Sequence, residues 1–442
     1  MPIEHRRAFP KTILTFIAIA LSACVASVYS PAASADSPPN ILLILADDVG
    51  HDALGCYGGE TYPTPHLDKL AASGIRYDHG YSMPSCHPTR VCLLTGRYPY
   101  RLGHPKWGDF PKQYEARTIA QLMKKSGYAT AVAGKWQLTK LGKNLEHPHD
   151  LGFDEYSLFG WHEGPRYQDP LIWENGKAKA GTTGKYGPDL YCDFMVDFIK
   201  RNSDKPFFVW YSMALCHDVT DDLKSPVPHA AGKDRYDSFG EMVAAMDDRV
   251  GRMVKALDDI GVRENTLILF VGDNGSPKQS IIRATGKKLT REPVVYRANG
   301  KQVRGGKTEL KDGGTRVPLI ASWPQKIRPK QESQALVDMS DFLPTCLAVA
   351  NSKAPADWDI DGVDFSATFT NPKRSARTWA FAERKGGMWV REQKFKLYDN
   401  GKLFDISIDV QETKPLTVLN AEAQAAKIRL EAVMKHIKSR AN

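Results

Sequence analysis

Four oxygen-bearing side chains stand at the ends of two apolar runs. Residues 41–46 (ILLILA) lead into Asp47-Asp48, and residues 266–271 (TLILFV) lead through Gly272 into Asp273-Asn274. In an open α/β sheet, ligands bind outside the carboxyl ends of the strands, which is where these four side chains would converge. Three carboxylates and one amide make a hard, oxygen-rich site suited to Ca²⁺ or to Mg²⁺. Asp and Asn also end strands simply as turn residues; with two matched strand ends, both readings stay open. Further along stand Cys86 and Arg90, then Lys135, His217 and Lys307. Taken singly, each has an ordinary use: Arg90 as a buried ion-pair partner, the lysines as surface residues, His217 as a structural side chain.

The elements that must position these residues read as an α/β fold. Residues 206–213 (PFFVWYSM) are a third continuous apolar run and residues 128–133 a weaker fourth, as expected of central parallel strands buried on both faces. Between them lies a helical pattern over about 238–257, with Phe239, Met242, Val243, Met246, Val250, Met253, Val254 and Leu257 on one face. Ser238 and Glu241 form its capping box. The alternation predicts a large doubly wound sheet, mixed but mostly parallel, flanked by helices. Past Asn371-Pro372, short strands are predicted at 379–382, 388–392 and 394–398, then a helix over 421–439. The expected division is a main domain over 36–370 and a small antiparallel sheet plus helix over 371–442.

Residues 1–35 read as an export signal. Arg6, Arg7 and Lys11 precede an apolar stretch too short to span a bilayer comfortably, and Ala33-Ser34-Ala35 is a small-residue cleavage site. Leu21-Ser22-Ala23-Cys24 supports a second reading, a lipoprotein-type cleavage with Cys24 carrying lipid. Either way the mature protein is expected in the periplasm, in the cell envelope or secreted, with membrane attachment only if Cys24 is lipidated. The formal charge of +9 falls to +7 without Glu4, Arg6, Arg7 and Lys11. That excess fits an anionic substrate or merely a soluble basic protein, and no motif points to nucleic acid. The 7 cysteines are scattered with no C-x-x-C pair, so a zinc site is not expected and no disulfide pairing follows.

Between Asp47 and Arg101 the chain reads DDVGHDALGCYGG, TPHLDKLAASGIRYDHGYS and SCHPTRVCLLTGRYPYR. This closely resembles the formylglycine-dependent sulfatases of the alkaline phosphatase superfamily, whose signature is C-x-P-x-R or C-x-A-x-R followed by L-T-G-R. Here it is Cys86-His87-Pro88-Thr89-Arg90, then Leu94-Thr95-Gly96-Arg97. The likeness extends from about Pro39 to Glu412, through Met242-Val243 with Met246-Asp247, RGGKTELKDGGTRVP at 304–318, Asp341-Phe342-Leu343-Pro344-Thr345 and Leu403-Phe404-Asp405.

The resemblance implies an alkaline phosphatase-like fold and sulfate-ester hydrolysis. Cys86 would be converted to formylglycine by a maturation enzyme. Its hydrated aldehyde offers one hydroxyl to attack sulfur, giving a covalent sulfo-enzyme, and a second whose deprotonation expels sulfate. Asp47, Asp48, Asp273 and Asn274, together with residue 86, would hold Ca²⁺. Arg90, Lys135, His217 and Lys307 would surround the sulfate, each contributing about 2–4 kcal/mol to the transition state. His217 and Lys307 would also protonate the leaving oxygen.

The sequence departs from the family at Gly134-Lys135-Trp136-Gln137-Leu138, where G-K-W-H-L is usual. Gln137 would take the place beside the diol, but glutamine exchanges no proton near neutral pH. His104, His147, His149 and His162 are the candidates to replace the missing imidazole. Thr89 stands where serine is commoner, and His66 and Asp312 replace Asn and Glu. Residues 276–302 carry Lys278, Arg283, Lys287, Lys288, Arg291, Arg297 and Lys301 against Glu292 alone. They read as a pocket wall for a polyanionic glycan or as a solvated basic loop. Residues 161–173, with Trp161, His162, Arg166, Tyr167 and Trp173, read as a sugar-stacking wall or as packing. The expected substrate is a sulfated carbohydrate. The alternatives are a phosphonate monoesterase or phosphodiesterase of the same superfamily, and an inactive, exported glycan-binding pseudo-sulfatase.

Overall fold

The computed structural model describes residues 38–440, except 161, 219–235, 237 and 286–287. The strands of the main sheet, in chain order, begin with β1 (Asn40–Ala46), β2 (Ile75–Tyr81), β3 (Ala129–Lys135), β4 (Glu155–Phe159), β5 (Trp173–Glu174), β6 (Lys177–Ala178), β7 (Phe207–Ser212) and β8 (Thr266–Gly272). Two hairpins follow, β9 (Gln279–Thr285) with β10 (Lys288–Pro293) and β11 (Val295–Ala298) with β12 (Lys301–Arg304). The sheet is completed by β13 (Arg316–Val317), β14 (Leu319–Ser322) and β15 (Gln331–Asp338).

At its centre β8, β1, β7, β3 and β4 lie side by side and parallel. Antiparallel β14 joins β8 to β2, and β15 pairs with β2 in parallel. In β1 the side chains alternate between two hydrophobic layers. Ile41, Leu43 and Leu45 pack in one, and Leu42, Ile44 and Ala46 in the other. Both faces are therefore covered, which is why the strand reads as an unbroken apolar run.

The helix expected over 238–257 spans Phe239–Ile260, and the Ser238 hydroxyl accepts from the Glu241 N–H at 3.2 Å. Its Met242, Val243, Met246, Val250, Met253 and Leu257 fill the second layer. The C-terminal sheet has four strands, β16 (Ala380–Arg384), β17 (Gly387–Arg391), β18 (Phe395–Tyr398) and β19 (Leu403–Asp405). With the helix Ala421–Ser439 it joins the first layer through Phe381, Trp389, Leu430 and Met434. Among the described residues, no helix is long and apolar enough to cross a membrane.

One fully buried lysine ties this small sheet to the loop that carries Lys307. Lys396 Nζ on β18 lies 2.9 Å from both Asp312 and Glu412, and Glu412 in turn accepts from the Asp312 N–H at 2.9 Å. A buried cation is tolerated only when paired in this way.

Candidate active site

Strand register decides where the acids meet. Ala46 of β1 lies opposite Gly272 of β8, so Asp47 and Asp273 leave the sheet side by side, and the Asp273 N–H donates to Ala46 O at 2.9 Å. Asp48 donates its N–H to Asp273 Oδ1 at 3.1 Å and accepts from Asn274 Nδ2 at 2.7 Å. The chain beyond β7 reaches the same edge, where His217 Nε2 stands 3.8 Å from Asp48. Lys135 is the last residue of β3, which runs two residues beyond the expected end, and its ammonium pairs with Asp47. Gly134 before it has φ +101, and a Cβ there would lie 2.1 Å from Ser212 O, so only glycine fits.

Lys307 arrives from the opposite side, 2.7 Å from Asp48. Its approach depends on bare backbone: a Cβ on Gly275 would lie 1.9 Å from Gly313 O. Cys86 is the first residue of the helix Cys86–Thr95, whose unpaired amide N–H groups favour negative charge. The Thr89 hydroxyl fixes this helix to the end of β8 through Asp273 O at 2.8 Å. Arg90 is wholly buried, 3.0 Å from Asp273 and hydrogen-bonded to Ser212 Oγ and, at 3.3 Å, to Lys135 O. The structure thus brings together all of Asp47, Asp48, Cys86, Arg90, Lys135, His217, Asp273, Asn274 and Lys307.

The donor set fits a hard divalent cation. Asp47 Oδ1 and Asn274 Oδ1 are buried without a hydrogen-bond partner, and ligand atoms of Asp47, Cys86 and Asp273 lie within 4.8 Å of one another. Burial pushes Asp273 upward, and neighbouring Asp47 adds to the effect. Burial opposes ionisation of Asp47 too, but Lys135, His217, Arg90 and Lys307 outweigh it and hold that carboxyl well below its usual range. Burial raises the Cys86 thiol, despite Lys135 and Lys307 beside it. An unmodified thiol here stays protonated at neutral pH and is a poor nucleophile. Burial lowers His217 to about 4, so its imidazole is neutral at working pH.

Asp48, Gln137 and Thr308 have φ of 58, 59 and 74. Non-glycine residues in this region cost on the order of 1–3 kcal/mol each and cluster at functional sites. Gln137 is also buried, and both its Oε1 and its Nε2 lack a partner. None of the four histidines considered as replacements hydrogen-bonds to it. His147 Nδ1 accepts from Trp136 Nε1 at 3.0 Å, and His149 is bonded to Phe153 O at 2.8 Å. His104 faces Glu383 at 3.7 Å, and His162 is exposed. The first two are near Gln137 in sequence but committed to packing.

The segment 276–302 is two hairpins rather than a loop. Asp218, next to His217, accepts the Ile281 N–H at 2.7 Å and pins β9 against the site. Lys278, Arg291 and Lys307 line one cavity of about 570 Å³ with Asp48. In the other distinctive segment, the sugar wall is not seen for Tyr167, which is buried with its hydroxyl 2.7 Å from His217 O. Arg166 packs over the Phe159 ring at 4.8 Å, and Trp161 lies outside the described residues. Ser212 and Asp218 are supporting residues that sequence reasoning missed, and Tyr167 follows the packing side of its two readings. The six described cysteines are all free thiols.

Glu383 lies on β16 next to Arg384, which donates to Thr308 O at 3.0 Å. Burial pushes Glu383 up to about 8, against the hydrogen bond from the Tyr100 N–H at 2.5 Å. The folded protein therefore keeps a proton here that the unfolded chain releases near its ordinary value of 4.5. The resulting stability, roughly a few kcal/mol, is full below about pH 4.5 and is lost as pH rises through about 8. Glu383→Gln keeps an acceptor for Tyr100 but cannot ionise. Its melting temperature should match the wild type near pH 5 and exceed it near pH 9; parallel melting curves across pH would show that Glu383 is not protonated when folded.

The family model described as Sulfatase matches residues 39–352. The chain is 32% identical over 373 residues to N-acetylgalactosamine-6-sulfatase of Homo sapiens, covering 76% of this chain and 67% of the relative. It is 31% identical over 399 residues to arylsulfatase A of Homo sapiens, covering 82% and 75%. The structure of Ps i-CgsB in complex with k-i-k-neocarrahexaose superposes with a TM-score of 0.74 at 26% identity, covering 92% of this chain and 94% of that one. With its alkaline phosphatase-like sheet and its site at the strand ends, the chain belongs to the sulfatase family and is a sulfatase.

Proposed function

We propose that the enzyme removes sulfate from a sulfated carbohydrate, with residue 86 as formylglycine and Ca²⁺ held by Asp47, Asp48, Asp273 and Asn274. The observation that carries this reading is the convergence of Cys86 with two strand-end pairs, three carboxylates and one amide, whose Asp47 Oδ1 and Asn274 Oδ1 are left without hydrogen bonds. The cation would supply Lewis acidity toward the sulfate oxygens and the nucleophile; the hydrated aldehyde would supply one hydroxyl for attack and a second for release of sulfate. Lys135 and Lys307 place positive charge on the sulfate, and Arg90 orients Asp273. His217, neutral at working pH, hydrogen-bonds the bridging oxygen, while Lys307 delivers its proton.

The carbohydrate part draws on the basic cavity wall and on the relatives, one named for a sulfated aminosugar and one bound to a hexaose. Export by residues 1–35 and the domain boundary near 370 belong to the same proposal. A panel of aryl sulfate, sulfated sugars and phosphonate monoesters tests it. Sulfate release from the sugars at the highest kcat/KM is expected; preference for phosphonates would replace the reading.

Gln137 supplies the further test. With both polar atoms buried and unpaired, its amide serves the reacting group rather than the fold. Gln137→Leu should lower kcat about 10–100-fold with little change in KM, the loss of one or two hydrogen bonds made in the transition state. Gln137→His should keep turnover and add an ionisation to the pH–rate profile, displaced below the ordinary imidazole range because the position is buried. A leucine variant at full rate would reduce Gln137 to packing.

A further inference from the structure

Beside the site cavity lies a larger one of about 1020 Å³. It is bounded by Gly50, His51 and Asp52, just past the strand-end acids, by the β11–β12 hairpin, and by the loop that follows Lys307. The two cavities share Lys278, Pro293 and Arg304 in their linings, so a chain leaving the site across these residues enters the second space. Ile408 and Val410 line it while remaining 81% and 49% exposed. These two aliphatic side chains give the cavity wall apolar surface open to contact. Lys301 and Lys311 line the same cavity and are exposed. His51 lines it as well. Its Nδ1 meets Asp52 at 2.8 Å, while its Nε2 is buried without a partner. In the tautomer whose Nδ1–H donates to the Asp52 carboxylate, Nε2 is left as an acceptor for a hydroxyl.

Apolar contact, cations and a buried hydroxyl acceptor together match one chemistry: sugar rings, with their C–H faces and hydroxyls, bearing anionic substituents. We propose that this cavity is a distal subsite for an extended anionic oligosaccharide whose sulfate reacts at residue 86. The enzyme then favours chains of several sugars over a single sulfated unit. This rests on the carbohydrate reading above and adds to it the length and charge of the substrate.

The test compares the full, metal-loaded enzyme with Lys301→Glu/Ile408→Asp, a double variant on the far wall of the second cavity. The probes are 4-methylumbelliferyl sulfate and sulfated di- and hexasaccharides prepared from chondroitin sulfate and from carrageenan. For the wild type, KM for a hexasaccharide should be about tenfold below that for the matching disaccharide, equivalent to about 1.4 kcal/mol. The double variant should lose that advantage and leave kcat/KM for the disaccharide and the aryl sulfate unchanged. Equal KM values for both lengths in the wild type would overturn the subsite and leave the carbohydrate reading standing. An equal loss on all three probes would mean that the variant damages the fold or the site, and would also overturn it. Hydrolysis of the aryl sulfate with no hydrolysis of any sulfated sugar would remove the carbohydrate reading itself.

Discussion

Cys86→Ala protein folds and releases no sulfate: steady-state hydrolysis of an aryl sulfate falls by about 10⁴-fold or more, the scale on which loss of a nucleophile acts. The fold survives because residue 86 opens a helix and alanine is the best helix former. Relative to the formylglycine of the mature enzyme, only the small oxygen-bearing end of the side chain is lost. Cys86→Ser separates the two halves of the reaction. Serine offers a hydroxyl for attack but no second one to expel the sulfate. At most one equivalent of alcohol should therefore appear in a burst, and the intact mass should rise by one sulfo group. Both readouts, burst kinetics and intact mass, are available from one preparation. Steady turnover by the serine variant at the wild-type rate would refute a mechanism that needs two hydroxyls on one carbon.

The second large effect is expected at Arg90, where catalysis and stability are joined. Its guanidinium is wholly buried and spans Asp273, Ser212 Oγ and Lys135 O. Removing one partner of a buried ion pair leaves the other charge uncompensated and costs about 3–5 kcal/mol. Arg90→Met should lower the melting temperature by roughly 4–6 °C. It should also lower kcat by about 10²–10³-fold, because Asp273 and Lys135 lose their alignment. Arg90→Lys should rescue little, since an ammonium cannot reproduce the planar fork that reaches all three acceptors. Thermal melts beside kcat check this; an unchanged melt would show that Arg90 is not part of the buried framework.

The central parallel strands were legible because burial on both faces leaves an unbroken apolar run, as in β1 and β8. β2 was not. Its sequence IRYDHGY mixes buried and half-exposed positions, and β15 beside it opens on polar residues. The hairpins of 276–302 were read as a loop because lysines and arginines dominate there, and β-pairing depends on the partner strand more than on local preference. At the site, Asp47-Asp48 and Asp273-Asn274 were readable from their place after apolar runs. Ser212 and Asp218 were not, because each acts through a contact distant in sequence: with Arg90 and with the Ile281 N–H. The glycines of RGGKTELKDGGTRVP did carry a signal, fulfilled where Gly313 meets Gly275 backbone to backbone.

Mass spectrometry of the peptide containing Cys86, from protein purified out of its native host, tests the central claim most directly. The account predicts an aldehyde at residue 86, with the thiol gone. A fully active enzyme whose Cys86 peptide carries the unmodified thiol would contradict it.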